Sequence, residues 1–197
     1  MIPGPCGELE ALISVPAENI NKTVAIICHP HPLHGGTMQN KVVHTLDKAL
    51  SSLGCMTVRF NFRGVGKSSG EYDEAVGEVD DLKAVIDWVH EQVSGYDLCL
   101  AGFSFGAYVA MKAALDVDCA KLITIAPPVN IFNFSSILSS PCPWLLVQGM
   151  KDEIVDANEV INWASQFPGI DIVREQESGH FFHGKLNVLQ EIIEARF

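Results

Sequence analysis

DLCLAGFSFGAYVAMKAAL, residues 97–115, changes its hydrophobic period in the middle. Leu98 to Phe103 form a short, almost continuous apolar run, the pattern of a strand buried on both faces. From Phe105 onward the run to Leu115 fits a helix. Gly102-Phe103-Ser104-Phe105-Gly106 joins the two as a G-x-S-x-G. That pentapeptide alone is weak, because glycine and serine are common. With a strand before it and a helix at once after it, the turn must be very tight. Only small residues fit two positions either side, which accounts for Gly102, Gly106 and Ala107. Such a turn lifts the serine Oγ above the sheet edge and sets it beside the N–H groups of a helix start.

The flanking sequence repeats the alternation. Runs at 23–28, 55–62, 121–126, 144–149 and 170–175 read as strands, with 8–15 as an edge strand before them. Helix-period windows lie at 39–53, 75–93, 157–167 and 185–196. Strand and helix alternating along 1–197 predict a single α/β domain: a mainly parallel, doubly wound sheet with helices on both faces. Such sheets bind ligands beyond the carboxyl ends of their strands.

Composition narrows the function. The 197 residues are 48% hydrophobic, enough for one core without disulfide staples. A formal net charge of −11 repels phosphate backbones, so no nucleic-acid partner is expected. The apolar runs are too short to span a membrane, and no secretion signal is read at the N-terminus. The six cysteines include no CxxC pair, and Cys28, Cys55 and Cys99 sit in apolar runs. They read as small buried hydrophobes of a reduced, cytoplasmic protein.

A serine nucleophile needs a base, and the base needs an orienting acid. At an elbow these follow in the order Ser, acid, His. Asp152 lies just past the strand WLLVQG, with Glu153 and Asp156 as rivals. His180 follows a glycine after the last strand, and His183 is its rival.

GFSFG, GMKDEIV and SGHFFHG together resemble the α/β-hydrolase superfamily. HPHPLHGGTMQNKVVHTL, FNFRGVGKSSG and GFSFGAYVA resemble a group of small, lidless, dienelactone-hydrolase-like members. The resemblance implies the fold and the catalytic roles of Ser104, Asp152 and His180. It also implies an oxyanion hole made by the backbone N–H groups of Phe105 and His31, with Leu33 as the fallback for the second donor. Asn61 departs from the pattern: many relatives carry Asp there, at a position that is usually structural.

His29, His31 and His34 invite a metal reading. No Asp or Glu lies within their run, the nearest upstream acid being Glu18, and neither H-E-x-x-H nor a cysteine set appears. No metal and no cofactor are expected. The imidazoles should instead wall the site and pin its loop, with Leu33 beside them. Gly66-Lys67-Ser68 matches only the end of a phosphate loop, because Asn61 stands where its first glycine belongs. Arg63 is expected to tie down loop carbonyls, with a substrate-anion role as the alternative.

Residues 127–143, where a lid commonly enters this fold, can hold at most a short helix, so an open site is expected. Phe103, Phe105, Phe132, Phe134, Phe181 and Phe182 are candidates for its apolar mouth, core packing being the alternative. The expected activity is hydrolysis of a small-molecule ester or thioester, carboxylic and of small or medium size, through an acyl-enzyme. An acyltransferase and a non-catalytic binding protein on the same fold are the rivals.

Overall fold

A computed structural model describes residues 1–16 and 20–197; Glu18 lies outside the described residues. Among the described residues the helices and strands follow in chain order: β1 (Ile2–Gly4), β2 (Gly7–Leu9), β3 (Ala11–Ser14), β4 (Thr23–Cys28), α1 (Lys41–Ser52), β5 (Met56–Phe60), α2 (Val76–Gln92), β6 (Asp97–Phe103), α3 (Phe105–Ala114), β7 (Lys121–Ile125), β8 (Trp144–Gly149), α4 (Ala157–Ala164), β9 (Asp171–Glu175) and α5 (Leu186–Arg196). A short 3₁₀ turn, Pro32–His34, stands between β4 and α1.

Seven strands form one sheet in the order β3-β5-β4-β6-β7-β8-β9. All neighbours are parallel except the edge strand β3, which runs antiparallel to β5. The expected edge strand over 8–15 is two strands instead. The break falls at Glu10, whose backbone bonds to Ser68 Oγ and Asn61 N rather than continuing one ladder. β2 turns back on β1 as a separate hairpin.

Alternate residues of the central strands feed two cores. Ala25 and Ile27 of β4 pack with Val42, Leu46 and Leu50 of α1 and Leu189 and Ile193 of α5. Val24, Ile26 and Cys28 face the other side, where α2, α3 and α4 supply Leu82, Val109 and Val160. Burial on both faces explains the continuous apolar stretches 24–28 in β4 and 144–147 in β8. Side chains set where two of the helices begin: Asn40 caps α1 and Asp156 caps α4, each accepting a hydrogen bond from the first-turn backbone. No helix among the described residues is long and apolar enough to cross a membrane.

β4 and β6 are adjacent at the centre, and the chain winds away from them in opposite directions. The crevice beyond their carboxyl ends is the place where such a sheet binds ligands. The loop after β4 begins at His29, and Ser104 directly follows β6.

Candidate active site

Ser104 stands between β6 and α3 with φ 53° and ψ −119°, a conformation costing a non-glycine residue about 1–3 kcal/mol. The surroundings hold it there. Its N–H donates to Ile125 O at 2.8 Å, and its carbonyl accepts from Ala107 N at 2.9 Å. A Cβ at Gly102 would overlap the Gly106 carbonyl and lie 2.6 Å from Ala107 N. A Cβ at Gly106 would overlap the Cys28 carbonyl and lie 2.6 Å from His29 O. Both glycines are therefore fixed by close backbone approach. Ser104 is the N-cap of α3, yet its hydroxyl makes no capping bond and lines a cavity instead.

Asp152 and His180 come together at that cavity from two distant loops. His180 Nδ1 donates to Asp152 Oδ2 at 2.8 Å. Asp152 Oδ1 accepts from the N–H groups of Ile154 and Val155 at 2.9 and 2.8 Å, and Gln148 Nε2 donates to Oδ2 at 3.1 Å. Burial pushes the Asp152 carboxyl up, but the His180 bond and the two N–H groups outweigh it and hold the group below its usual range. The rivals have other work. Glu153 accepts the His180 N–H at 3.0 Å, fixing the loop, and Asp156 caps α4. His183 is exposed and stacks near Phe181. Ser104 and His180 line the same cavity, and among the described residues Ser104 Oγ makes no hydrogen bond to the imidazole.

Between β4 and α1, the N–H groups of residues 30–36 can be followed one by one. Pro30 and Pro32 have none. Leu33 N donates to His31 Nδ1 at 3.2 Å, His34 N and Gly36 N donate to His31 O, and Gly35 N donates to Pro32 O. The His31 N–H alone in this stretch has no acceptor among the described residues. The Leu33 N–H, the alternative second donor, already has an acceptor in His31 Nδ1. The Phe105 N–H, at the first position of α3, likewise has no acceptor among the described residues.

The cavity measures about 240 Å³. Beside Ser104 and His180 it is lined by His31, His34, Phe105, Ile131, Phe132 and Phe181, with backbone from the Gly35-Gly36 turn. Five expected wall residues lie elsewhere. His29 is 0% exposed: its Nε2 accepts from Phe62 N and its Nδ1 donates to Pro30 O, so it pins the loop from behind. Leu33 is 71% exposed and lines a separate depression beside Arg63 and Tyr72. Phe103 is buried in the core and braces the His180 ring at 5.0 Å. Phe134 turns away to pack on Trp163. Phe182 also belongs to the core, with φ 51°.

The histidine run does not converge on a metal. Both ring nitrogens of His29 and both of His31 already have partners, and no group of three or more His, Cys, Asp or Glu is placed to hold an ion among the described residues. Arg63 does not tie down carbonyls. It forms a buried ion pair with Asp81 at 2.7 Å. Asn61 is structural: Oδ1 accepts from Met38 N and Nδ2 donates to Glu10 Oε2, which an Asp could not do. Sequence reasoning missed Gln148, Tyr72, Ile131 and Ile154. The lone polar residue inside the apolar run WLLVQG was the one available signal, and it marks Gln148.

Sheet order, strained serine and switch-point cavity define an α/β hydrolase. The chain belongs to the family described as X-Pro dipeptidyl-peptidase (S15 family), whose model matches residues 7–140, a span that includes Ser104 and stops before Asp152 and His180. An α/β serine hydrolase homologue from Coxiella burnetii is 52% identical, with 98% of this chain and 94% of that chain covered and a TM-score of 0.96. A Xanthomonas campestris structure, described as an α/β serine hydrolase without lid, is 42% identical, with coverages of 98% and 90% and a TM-score of 0.94. An uncharacterized protein of Rickettsia prowazekii (strain Madrid E) is 35% identical over 201 residues, covering 96% of this chain and 84% of its own length. As in the lidless neighbour, no cap domain is inserted here: residues 127–143 form no helix or strand, and they contribute one wall of the cavity.

Proposed function

We propose that this hydrolase cleaves small or medium carboxylic esters or thioesters through an acyl-enzyme on Ser104. The observation that carries the reading is the Asp152–His180 pair, 2.8 Å apart, opening on the same cavity as the elbow serine. Ser104 Oγ attacks the acyl carbonyl and gives its proton to His180 Nε2. Asp152 holds Nδ1–H and so fixes the tautomer. The N–H groups of Phe105 and His31 receive the oxyanion, each donor being worth about 10²–10³ in turnover. The tetrahedral intermediate expels the alcohol or thiol, which takes the proton from His180. Water then repeats the sequence and frees the acid.

Ester cleavage is favoured over removal of X-Pro dipeptides by the chemistry of the walls. A dipeptidyl-peptidase must grip the substrate ammonium, and ammonium groups are held by carboxylates. The lining of the cavity has no Asp or Glu among the described residues. Its volume of about 240 Å³ falls just below the ~300–1,000 Å³ of drug-sized ligand sites, which suits a compact acyl group. The free thiols of all six cysteines support a reducing, cytoplasmic setting.

Turnover of short-chain p-nitrophenyl esters, set against an X-Pro p-nitroanilide, tests the proposal. The ester is expected to be the substrate, and Ser104→Ala to lower turnover by at least ~10³. A fluorophosphonate probe is expected to label Ser104. Folded protein that neither labels nor turns over esters would leave a binding role on the same fold.

A further inference from the structure

The sequence placed the His31 side chain in the wall of the site and among the groups that pin its loop, without saying how. Its hydrogen bonds indicate more. His31 is the N-cap of the Pro32–His34 turn, with φ −52° and ψ 123°. Side-chain capping of this kind is the work of Ser, Thr, Asp or Asn, whose oxygen accepts an orphan N–H. Here imidazole Nδ1 does it, accepting from Leu33 N at 3.2 Å. An imidazole nitrogen accepts only when it carries no proton. The proton of the neutral ring is therefore on Nε2, which has Tyr72 Oη at 3.2 Å as its acceptor. The ring is wedged among Phe105, Tyr72 and Phe132, with centroids at 5.0, 5.0 and 6.1 Å.

We infer that the His31 imidazole is a positioning residue: as a neutral Nε2–H ring it caps the turn that aims its own backbone N–H into the oxyanion hole. This rests on the reading of Ser104 as nucleophile. One residue thus does two jobs. Its main chain supplies the donor, and its side chain locks the main chain. Pro30 and Pro32 cannot brace the turn with N–H groups of their own. The His31 carbonyl takes two more bonds from the same turn, from His34 N at 3.1 Å and Gly36 N at 3.0 Å. Burial, with His34 beside it, holds the His31 pKa below the usual imidazole range and so keeps Nδ1 free to accept. A misplacement of about 1 Å in a catalytic donor can cost ~10²-fold in rate.

The test compares His31→Ala with His31→Asn on a short-chain p-nitrophenyl ester. Both keep the backbone N–H and both remove the aromatic wall, so a rise in KM is common to the two. Only Asn can accept from Leu33 N. The expected result is a kcat at least ~10-fold lower in His31→Ala, most of it recovered in His31→Asn. Equal kcat in the two variants, with turnover still dependent on Ser104, overturns the cap and leaves the nucleophile reading intact. Wild-type turnover in Ser104→Ala overturns both. If His31→Ala does not fold, ¹⁵N spectra of the wild type decide, since they report which ring nitrogen of His31 is protonated. Protonated Nε2 and bare Nδ1 at neutral pH are expected. A proton on Nδ1 would oppose the Leu33 N–H and sink the inference.

Discussion

Phe62 N–H and His29 Nε2 are joined by a 3.0 Å hydrogen bond beneath the cavity. The other ring nitrogen of His29 lies 2.6 Å from Pro30 O. The loop that carries His31 is thus nailed to the exit of β5 by a ring that can do this only as a neutral tautomer. Burial, the larger influence, pushes the His29 pKa down to about 4. An unfolded histidine titrates near ~6.5. Above that value neither state binds the proton. Between the two values only the unfolded chain does, so stability falls as pH falls, and below about 4 the loss is complete. Between pH 7 and pH 5 this group alone removes roughly 2 kcal/mol. Urea unfolding of wild type and His29→Gln at the two pH values measures it. The variant is expected to be weaker at pH 7 but to lose about 2 kcal/mol less on acidification; equal losses would refute the assignment.

The strain at Ser104 yields a prediction in which stability and activity move oppositely. With φ at 53° and ψ at −119°, the residue occupies backbone space that suits glycine. Ser104→Gly is expected to abolish turnover yet raise stability by about 1 kcal/mol, the relieved strain less the added chain entropy. For a chain of this length that is a gain of roughly 2–4 °C in Tm. A melting point at or below wild type would show that the elbow is not strained.

Arg63 and Asp81 are both buried, and the guanidinium meets the carboxylate through Nε and Nη2. Burial costs Arg63 less than the pairing returns: the Asp81 bond, the largest influence, raises its pKa. Arg63→Met leaves the Asp81 charge buried alone, at a cost of about 3–5 kcal/mol. Adding Asp81→Asn removes that charge while keeping an acceptor for Arg63 N, which Asp81 bonds at 2.9 Å. The double variant is expected to be more stable than Arg63→Met by at least ~1 kcal/mol. A double variant weaker than the single would mean that the pair is not held by charge.

What the sequence disclosed follows from how local each signal is. The elbow was legible because its residues are contiguous: the clash that requires Gly102 is with Gly106 and Ala107, within the same turn, although the one that requires Gly106 comes from Cys28 and His29 on β4 and its loop. The sheet was legible because strands buried on both faces cannot hide their apolar runs. Wall residues were not. Phe103 and Phe105 are separated by two positions, yet one braces His180 from the core and the other lines the cavity. Only the turn at Ser104 decides that. His29 and Leu33 were expected beside His31 because they adjoin it in the chain. A loop with hydrogen bonds on alternate residues points its side chains in different directions. Arg63 needed Asp81, a partner eighteen residues away on α2, which no local pattern announces.

Gln148 gives the prediction closest to the chemistry. It is fully buried in β8, and its Nε2 donates to the same Asp152 oxygen that accepts from His180. Its Oε1 has no partner among the described residues, and Gly149 O, which also accepts from Nε2 at 3.0 Å, keeps the Asp152 N–H at 3.3 Å when the amide is replaced by a hydrocarbon. Burial pushes the Asp152 carboxyl up, and the hydrogen bonds around it bring it below its usual range. Gln148→Leu removes one donor and leaves the two N–H groups of Ile154 and Val155 to hold the geometry. The Asp152 oxygen that orients His180 then has one donor fewer. kcat on a short-chain p-nitrophenyl ester is expected to fall by less than ~10-fold, because the two N–H groups keep the carboxylate in place. A kcat equal to wild type would make Gln148 a packing residue with no part in holding Asp152.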